Sequence, residues 1–150
     1  FYVLLGDVIV PENNMLVRMN EVSAAHDGAS VIAVMAVPEE DVSRFGVIAG
    51  SQVDDNVWKI DSLVEKPPVE EAPSNLAVFG RYLLTPRVME LLAEVEPGAG
   101  GEIQLTDALD TVLREEEMYA LVVDSSEGFD TGTVATWLET NNIMNARRNG

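Results

Sequence analysis

Apolar positions along this chain switch repeatedly between strand-like runs and a spacing of three and four residues. Phe1–Val10 (F-Y-V-L-L-G-D-V-I-V) is apolar almost throughout and predicts a buried strand, interrupted at Gly6-Asp7. Asn13–Asp27 sets Leu16, Met19, Val22 and Ala25 at near-helical spacing and stops at Gly28. Ser30–Val37 predicts the next strand. A polar turn at Pro38–Arg44 then leads to short strands around Phe45–Ala49 and Val57–Val64, with Gly50–Asn56 as their hairpin loop. After the Pro-rich link Pro67–Pro73, Leu76–Leu84 predicts a strand, and Thr85 as N-cap with Pro86 at the first position starts a helix running to about Val95. The G-A-G-G turn at Gly98–Gly101 precedes a helix over Ile103–Glu116, with Leu105, Leu109, Val112 and Leu113 on one face. Met118–Val123 is the last predicted strand, and Thr133 caps a terminal helix to about Arg148. Strand and helix signals that alternate in this way favour an α/β sheet packed by helices over a sandwich or a bundle.

Composition narrows the function. A chain of 150 residues, 47% hydrophobic, supports one domain with a sizeable core. Nine Lys+Arg against 26 Asp+Glu give a net charge of -17, which repels nucleic-acid backbones and anionic lipid surfaces. Neither nucleic acid nor membrane is therefore an expected partner. A small phosphorylated ligand is compatible with this charge if one or two local cations and a divalent metal dominate its site. Without cysteine there is no disulfide framework and no thiolate metal site, and the cytoplasm is the expected compartment. No apolar run approaches the roughly 20 residues that span a bilayer, and the first ten residues lack the basic flank of a signal peptide. The opening at Phe1, directly in a strand pattern, suggests a piece of a longer protein.

Two carboxylates stand out. Asp7 interrupts apolar residues on both sides, where a lone carboxylate costs several kcal/mol unless it is paired, hydrogen-bonded or bound to metal. Asp130 follows a strand and a turn and precedes T-G-T. Each fits either a turn or helix cap or a metal ligand; as a pair from separate strand ends they suit Mg²⁺, which keeps few protein ligands and is otherwise held by substrate phosphates. Glu65-Lys66-Pro67 is either an exposed ion pair or, for a sugar phosphate, a hydroxyl acceptor beside a phosphate-binding cation. In a strand these neighbours would face opposite sides, although Pro67 bends the chain there. His26 is expected at the surface near a helix C-terminus. No Ser/His/Asp hydrolase set can be argued around this single His, and no G-x-S-x-G is present.

Three segments carry a family resemblance: V-E-K-P at Val64–Pro67, A-P-S-N-L-A-V-F-G-R-Y-L-L at Ala72–Leu84, and P-G-A-G-G-E-I-Q-L-T-D-A-L at Pro97–Leu109. They resemble segments of bacterial UDP-glucose pyrophosphorylases, the UTP:glucose-1-phosphate uridylyltransferases of the sugar nucleotidyltransferase family. L-L-G-D-V-I-V at Leu4–Val10 is similar to the family's metal-aspartate strand, F-G-V at Phe45–Val47 to its sugar-side glycine, and F-D-T-G-T at Phe129–Thr133 to its second metal aspartate. The resemblance implies a Rossmann-like nucleotidyltransferase fold, a mixed sheet flanked by helices, of which residues 1–150 would be the second half. The family's glycine-rich G-x-G-T-R-x-x-P nucleotide loop is absent from the chain, which by itself is expected to be inactive.

By the same resemblance, Asp7 and Asp130 would bind Mg²⁺, and Glu65 and the Gly46 backbone would contact sugar hydroxyls. Lys66 would contact phosphate, and Asn75 and Val78 would line the sugar pocket. The implied catalytic set is Lys66, Asp7 and Asp130, without a general base; Glu102 is expected to serve structure instead, beside the helix that follows it. The implied ligands are UTP, glucose 1-phosphate and UDP-glucose, in carbohydrate biosynthesis by a homo-oligomeric parent. Two alternatives stay open. The tail D-T-G-T-V-A-T-W-L-E-T-N is closer to glucose-1-phosphate thymidylyltransferases, and the chain could instead be a non-catalytic sugar-phosphate-binding or oligomerisation module.

Overall fold

A computed structural model describes residues 1–12, 14–94, 96 and 103–149. Its centre is strand β3 (Ser30–Ala36), buried over its first five residues, as expected of a continuous apolar run covered on both faces. The other strands are β1 (Tyr2–Leu4), β2 (Val8–Ile9), β4 (Gly46–Asp54), β5 (Val57–Glu65), β6 (Leu76–Leu83), β7 (Met118–Val122) and β8 (Phe129–Asp130). Six of them form one mixed sheet in the order β1-β6-β3-β7-β5-β4, with a further β6–β4 bridge at Val47↔Ala77; β2 and β8 form a separate antiparallel ribbon. Only β3 and β7 run parallel, in register from Ser30↔Met118 to Val34↔Val122.

The strand period of two sorts the core into two layers. Val31 and Ala33 of β3, with Tyr119 and Leu121 of β7, pack against Met15, Met19 and Val22 of helix α1 (Asn14–Ala25). Ile32 and Val34, with Met118 and Ala120, point the other way, towards helices α2 (Arg87–Leu92) and α3 (Leu105–Val112). There Val88, Leu91, Leu109 and Val112 complete the second core. Helix α4 (Val134–Asn149) follows β8, and the hydroxyl of Thr133 accepts the Thr136 amide at 3.2 Å, the expected N-cap bond.

Several expectations need correction. The Phe1–Val10 segment is not a buried strand but two short strands in different sheets, with Leu4 51% and Leu5 42% exposed. Its apolar side chains lie along an edge strand, where only β6 is paired with it. In α1 the inward stripe takes in Met15, whereas Ala25 is exposed; Asn13 lies outside the described residues. Gly50–Asn56 is not a loop, because β4 runs on to Asp54 and only Asp55 and Asn56 turn. The Gln52 amide closes that turn by donating to the carbonyls of Asp54 and Asp55 at 3.1 and 2.9 Å. Thr85 caps nothing through its side chain, which donates to Glu116 at 2.8 Å, and α2 ends at Leu92; Val95 lies outside the described residues. Helix α3 stops at Val112 rather than Glu116, since Glu115, Glu116 and Glu117 would crowd negative charge onto the negative end of its dipole.

Candidate functional site

A cavity of about 540 Å³ opens between the front of the β4–β5 hairpin, the middle of β6, the start of α3 and the β2–β8 ribbon. At one end, antiparallel pairing sets Gly46 of β4 opposite Glu65 of β5. Thr106 in the first turn of α3 donates its hydroxyl to Glu65 Oε2 at 2.6 Å. A Cβ at Gly46 would lie 3.1 Å from that oxygen and 3.5 Å from both Thr106 Oγ1 and Val78 Cγ2. Gly46 therefore leaves room beside an oriented carboxylate.

Lys66 has φ +46, a left-handed conformation that costs a non-glycine residue about 1–3 kcal/mol and is further disfavoured before Pro67. Its amide is held by the Phe45 carbonyl at 3.0 Å. Glu65 and Lys66 do not take the opposite orientation of regular strand neighbours, in keeping with the bend expected before Pro67. The left-handed turn swings the ammonium back to 3.7 Å from Glu65 Oε1, with the Lys66 side chain 62% exposed.

Asp7 and Asp130 meet at the other end. β2 and β8 pair Val8 with Asp130, and Thr131 donates both its amide and its hydroxyl to the Asp7 carbonyl at 2.7 Å. Asp130 Oδ1 accepts the Gly132 amide at 2.8 Å. A Cβ on Gly132 would stand 3.1 Å from Asp130 Oδ1 and 3.4 Å from Asp7 Oδ2, so both carboxylates face one recess that a side chain would fill. Asp130 does not cap α4, since Thr133 does. Arg44, at the end of the 3₁₀ turn Glu39–Arg44, places Nη2 3.9 Å from Asp130 Oδ2 and donates to Asp41 at 3.1 Å. Tyr82 borders the cavity; burial first, then the charges of Glu65 and Asp7, push its phenol up to about 12.

Asp7, Gly46, Glu65, Lys66, Val78 and Asp130 thus share one cavity, and Asn75 does not. The Asn75 amide donates to the Val37 carbonyl at 3.1 Å, outside the recess. Glu102 and the G-A-G-G turn lie outside the described residues. Among the described residues no cluster of three or more His, Cys, Asp or Glu could hold a metal, so a cation here would have two protein carboxylates. The sequence points to Gly132 as a place of close backbone approach, and the crowding there agrees with it, but assigns no role to Thr106 or Arg44. Arg44 stands two residues before Gly46 and was open to inspection, whereas nothing local joins Thr106 to Glu65.

A family model for nucleotidyl transferases matches residues 1–147. The chain belongs to the nucleotidyl transferase family. Its mixed sheet flanked by helices is that family's fold: a solved UDP-glucose pyrophosphorylase complexed with UDP-glucose superposes with a TM-score of 0.90 at 37% identity, over 98% of this chain and 56% of that one. A Methanocaldococcus jannaschii protein provisionally named UTP–glucose-1-phosphate uridylyltransferase is 42% identical over 150 residues, 99% of this chain and 51% of its own. The UTP–glucose-1-phosphate uridylyltransferase of Pseudomonas aeruginosa is 42% identical over 116 residues, 76% of this chain and 40% of its own. This nucleotidyl transferase chain spans about half the length of those curated relatives. Among its described residues no helix is long and apolar enough to cross a membrane.

Proposed function

We propose that this chain forms the sugar-phosphate and metal side of a UTP:glucose-1-phosphate uridylyltransferase, which makes UDP-glucose and pyrophosphate from UTP and glucose 1-phosphate. The observation that carries the proposal is one cavity with the Gly46–Glu65–Lys66–Thr106 group at one end and the Asp7–Asp130 recess at the other. Its size lies in the usual range for small-molecule sites, about 300–1,000 Å³. The names of the relatives support the choice of base and sugar.

In this reading a phosphate oxygen of glucose 1-phosphate displaces pyrophosphate from the α-phosphorus of UTP. Such displacement needs positioning and charge neutralisation more than a protein nucleophile. Glu65, oriented by Thr106, accepts hydrogen bonds from sugar hydroxyls, and Gly46 lets the ring approach its backbone. Val78 forms an apolar wall, and Lys66 holds the phosphate as a point charge. The Asp7 and Asp130 carboxylates are hard oxygen donors that fit Mg²⁺, which when bound neutralises phosphate charge. Asn75 is left out of the set because its side chain is committed to Val37.

Calorimetry with UDP-glucose and Mg²⁺ tests the assignment. Binding to the native chain should weaken by about tenfold or more in Lys66→Ala and in Asp7→Asn, as loss of a charged contact worth roughly 1.5–3 kcal/mol requires. No heat with the native chain, or native affinity in both variants, would overturn it. In the full-length protein, a strong preference for dTTP over UTP with glucose 1-phosphate would favour the thymidylyl alternative.

A further inference from the structure

We infer that Arg81, seated beside Gly80, is the positioning residue that holds the Asp7 carboxylate at its recess; this rests on the metal-binding role proposed for Asp7. Arg81 is only 9% exposed, and among the described residues it makes no ion pair. Buried guanidinium groups are costly unless paired or fully hydrogen-bonded. Every hydrogen bond it makes there ends on a main-chain carbonyl: Nη1 on Leu5 at 3.1 Å and Gly80 at 3.0 Å, and Nη2 on Val8 at 2.5 Å. Leu5 and Val8 bracket the turn that carries Gly6 and Asp7, closed by the Val8 amide on the Leu5 carbonyl at 3.4 Å. One rigid planar fork thus grips both ends of the Asp7 turn, a geometry that the compact ammonium of a lysine reproduces only in part.

Gly80 supplies the seat. Between the pairs Ile32↔Tyr82 and Val34↔Val78, the β3–β6 register shifts, and Gly80 within that bulge adopts φ +63. A Cβ there would stand 3.1 Å from both Leu5 Cδ1 and Val8 Cγ2. The Gly80 carbonyl also receives the Leu5 amide at 3.0 Å. From the far side Thr131 holds the Asp7 carbonyl, so the turn is clamped between β6 and the β8 end. Burial lowers the basicity of Arg81, and Asp7 is the neighbouring charge that opposes this. The F-G-R-Y segment thereby acquires a role in the site although neither Gly80 nor Arg81 offers a side-chain ligand to it.

Arg81→Met, Arg81→Lys and Asp7→Asn test this, with the core variant Leu109→Ala as a control for lost stability. Amide hydrogen exchange at Leu5, Val8 and Thr131 should accelerate about tenfold or more in Arg81→Met while β3 stays protected. Mn²⁺ titration should show a 10–100-fold loss of affinity, roughly that of removing a residue that orients a metal ligand, with Arg81→Lys intermediate. Leu109→Ala should melt lower yet bind Mn²⁺ as the native chain does. Native exchange rates at the turn in Arg81→Met would overturn the inference, as would native Mn²⁺ affinity in Arg81→Met beside abolished binding in Asp7→Asn. Native affinity in Asp7→Asn would instead sink the metal role of Asp7, and the exchange rates would then decide the grip of Arg81 by themselves.

Discussion

Tyr82 is the residue whose chemistry responds most directly to the cavity. It is buried, and both Glu65 and Asp7 oppose its ionisation, which lifts its phenol from about 10 to about 12. Below pH 10 the phenol is neutral in folded and unfolded chains alike. Between about pH 10 and 12 the unfolded chain ionises first and binds fewer protons, so stability falls through that window, by roughly 3 kcal/mol in all. Urea unfolding at pH 8 and pH 11.5 should show about 2 kcal/mol of this loss in the native chain and a smaller loss in Tyr82→Phe. Equal losses in both would mean that Tyr82 does not carry the effect. At this scale the candidate site was partly legible: Asp7, Glu65, Lys66 and Asp130 stood out in their local contexts, and Gly46 only through the family resemblance. Thr106 did not, because its partner Glu65 is 41 positions away.

Among the elements, the β4–β5 hairpin departs furthest from its sequence pattern. Ser51–Asp54 is exposed and, apart from Val53, polar, which weakens the apolar signal of a strand without opposing its backbone pairing. Gly50 stands at a register shift between β4 and β5, where a Cβ would lie 2.2 Å from the Lys59 carbonyl oxygen. Backbone cannot yield as a side chain can, so Gly50→Ala should cost roughly 2–4 kcal/mol in denaturant unfolding. Gly6→Ala, with nothing within 4 Å of the added carbon, should stay within about 0.5 kcal/mol. Equal stability of the two variants would show that the hairpin register does not need glycine at position 50. The helices were read better than the hairpin: α1 and α3 form where apolar stripes predict them, although α1 turns Met15 rather than Ala25 inward and α3 ends one residue before Leu113.

Across the whole molecule, a net charge of -17 sets the electrostatics. The ion pairs among the described residues, such as Arg87–Glu115 at 2.7 Å, lie largely at the surface, where water and salt screen them and each contributes little. Repulsion among unpaired carboxylates should therefore outweigh them. Raising NaCl from about 10 to 300 mM should stabilise the chain by about 1 kcal/mol, or roughly 2–4 °C in melting temperature. A fall with salt would show instead that the pairs dominate. Glu115 and Glu117 are held below the usual carboxylate range by hydrogen bonds from Arg87 and Lys59, so their contribution is lost as pH falls.

The sequence by itself determined the α/β class, the central strands β3 and β7 and the presence of the helices between the strands, and it singled out the candidate residues Asp7, Glu65, Lys66 and Asp130. Burial imposes a period of two on strands and 3.6 on helices, and that imprint is local. Tertiary structure alone decided that the Phe1–Val10 segment lies on an edge, and that Asp7 and Thr131, 124 positions apart, clasp each other. It also turned Lys66 back towards Glu65 and put Arg81 beneath the Asp7 turn. These outcomes depend on contacts between segments distant along the chain, and a contact of that kind leaves no period in either segment.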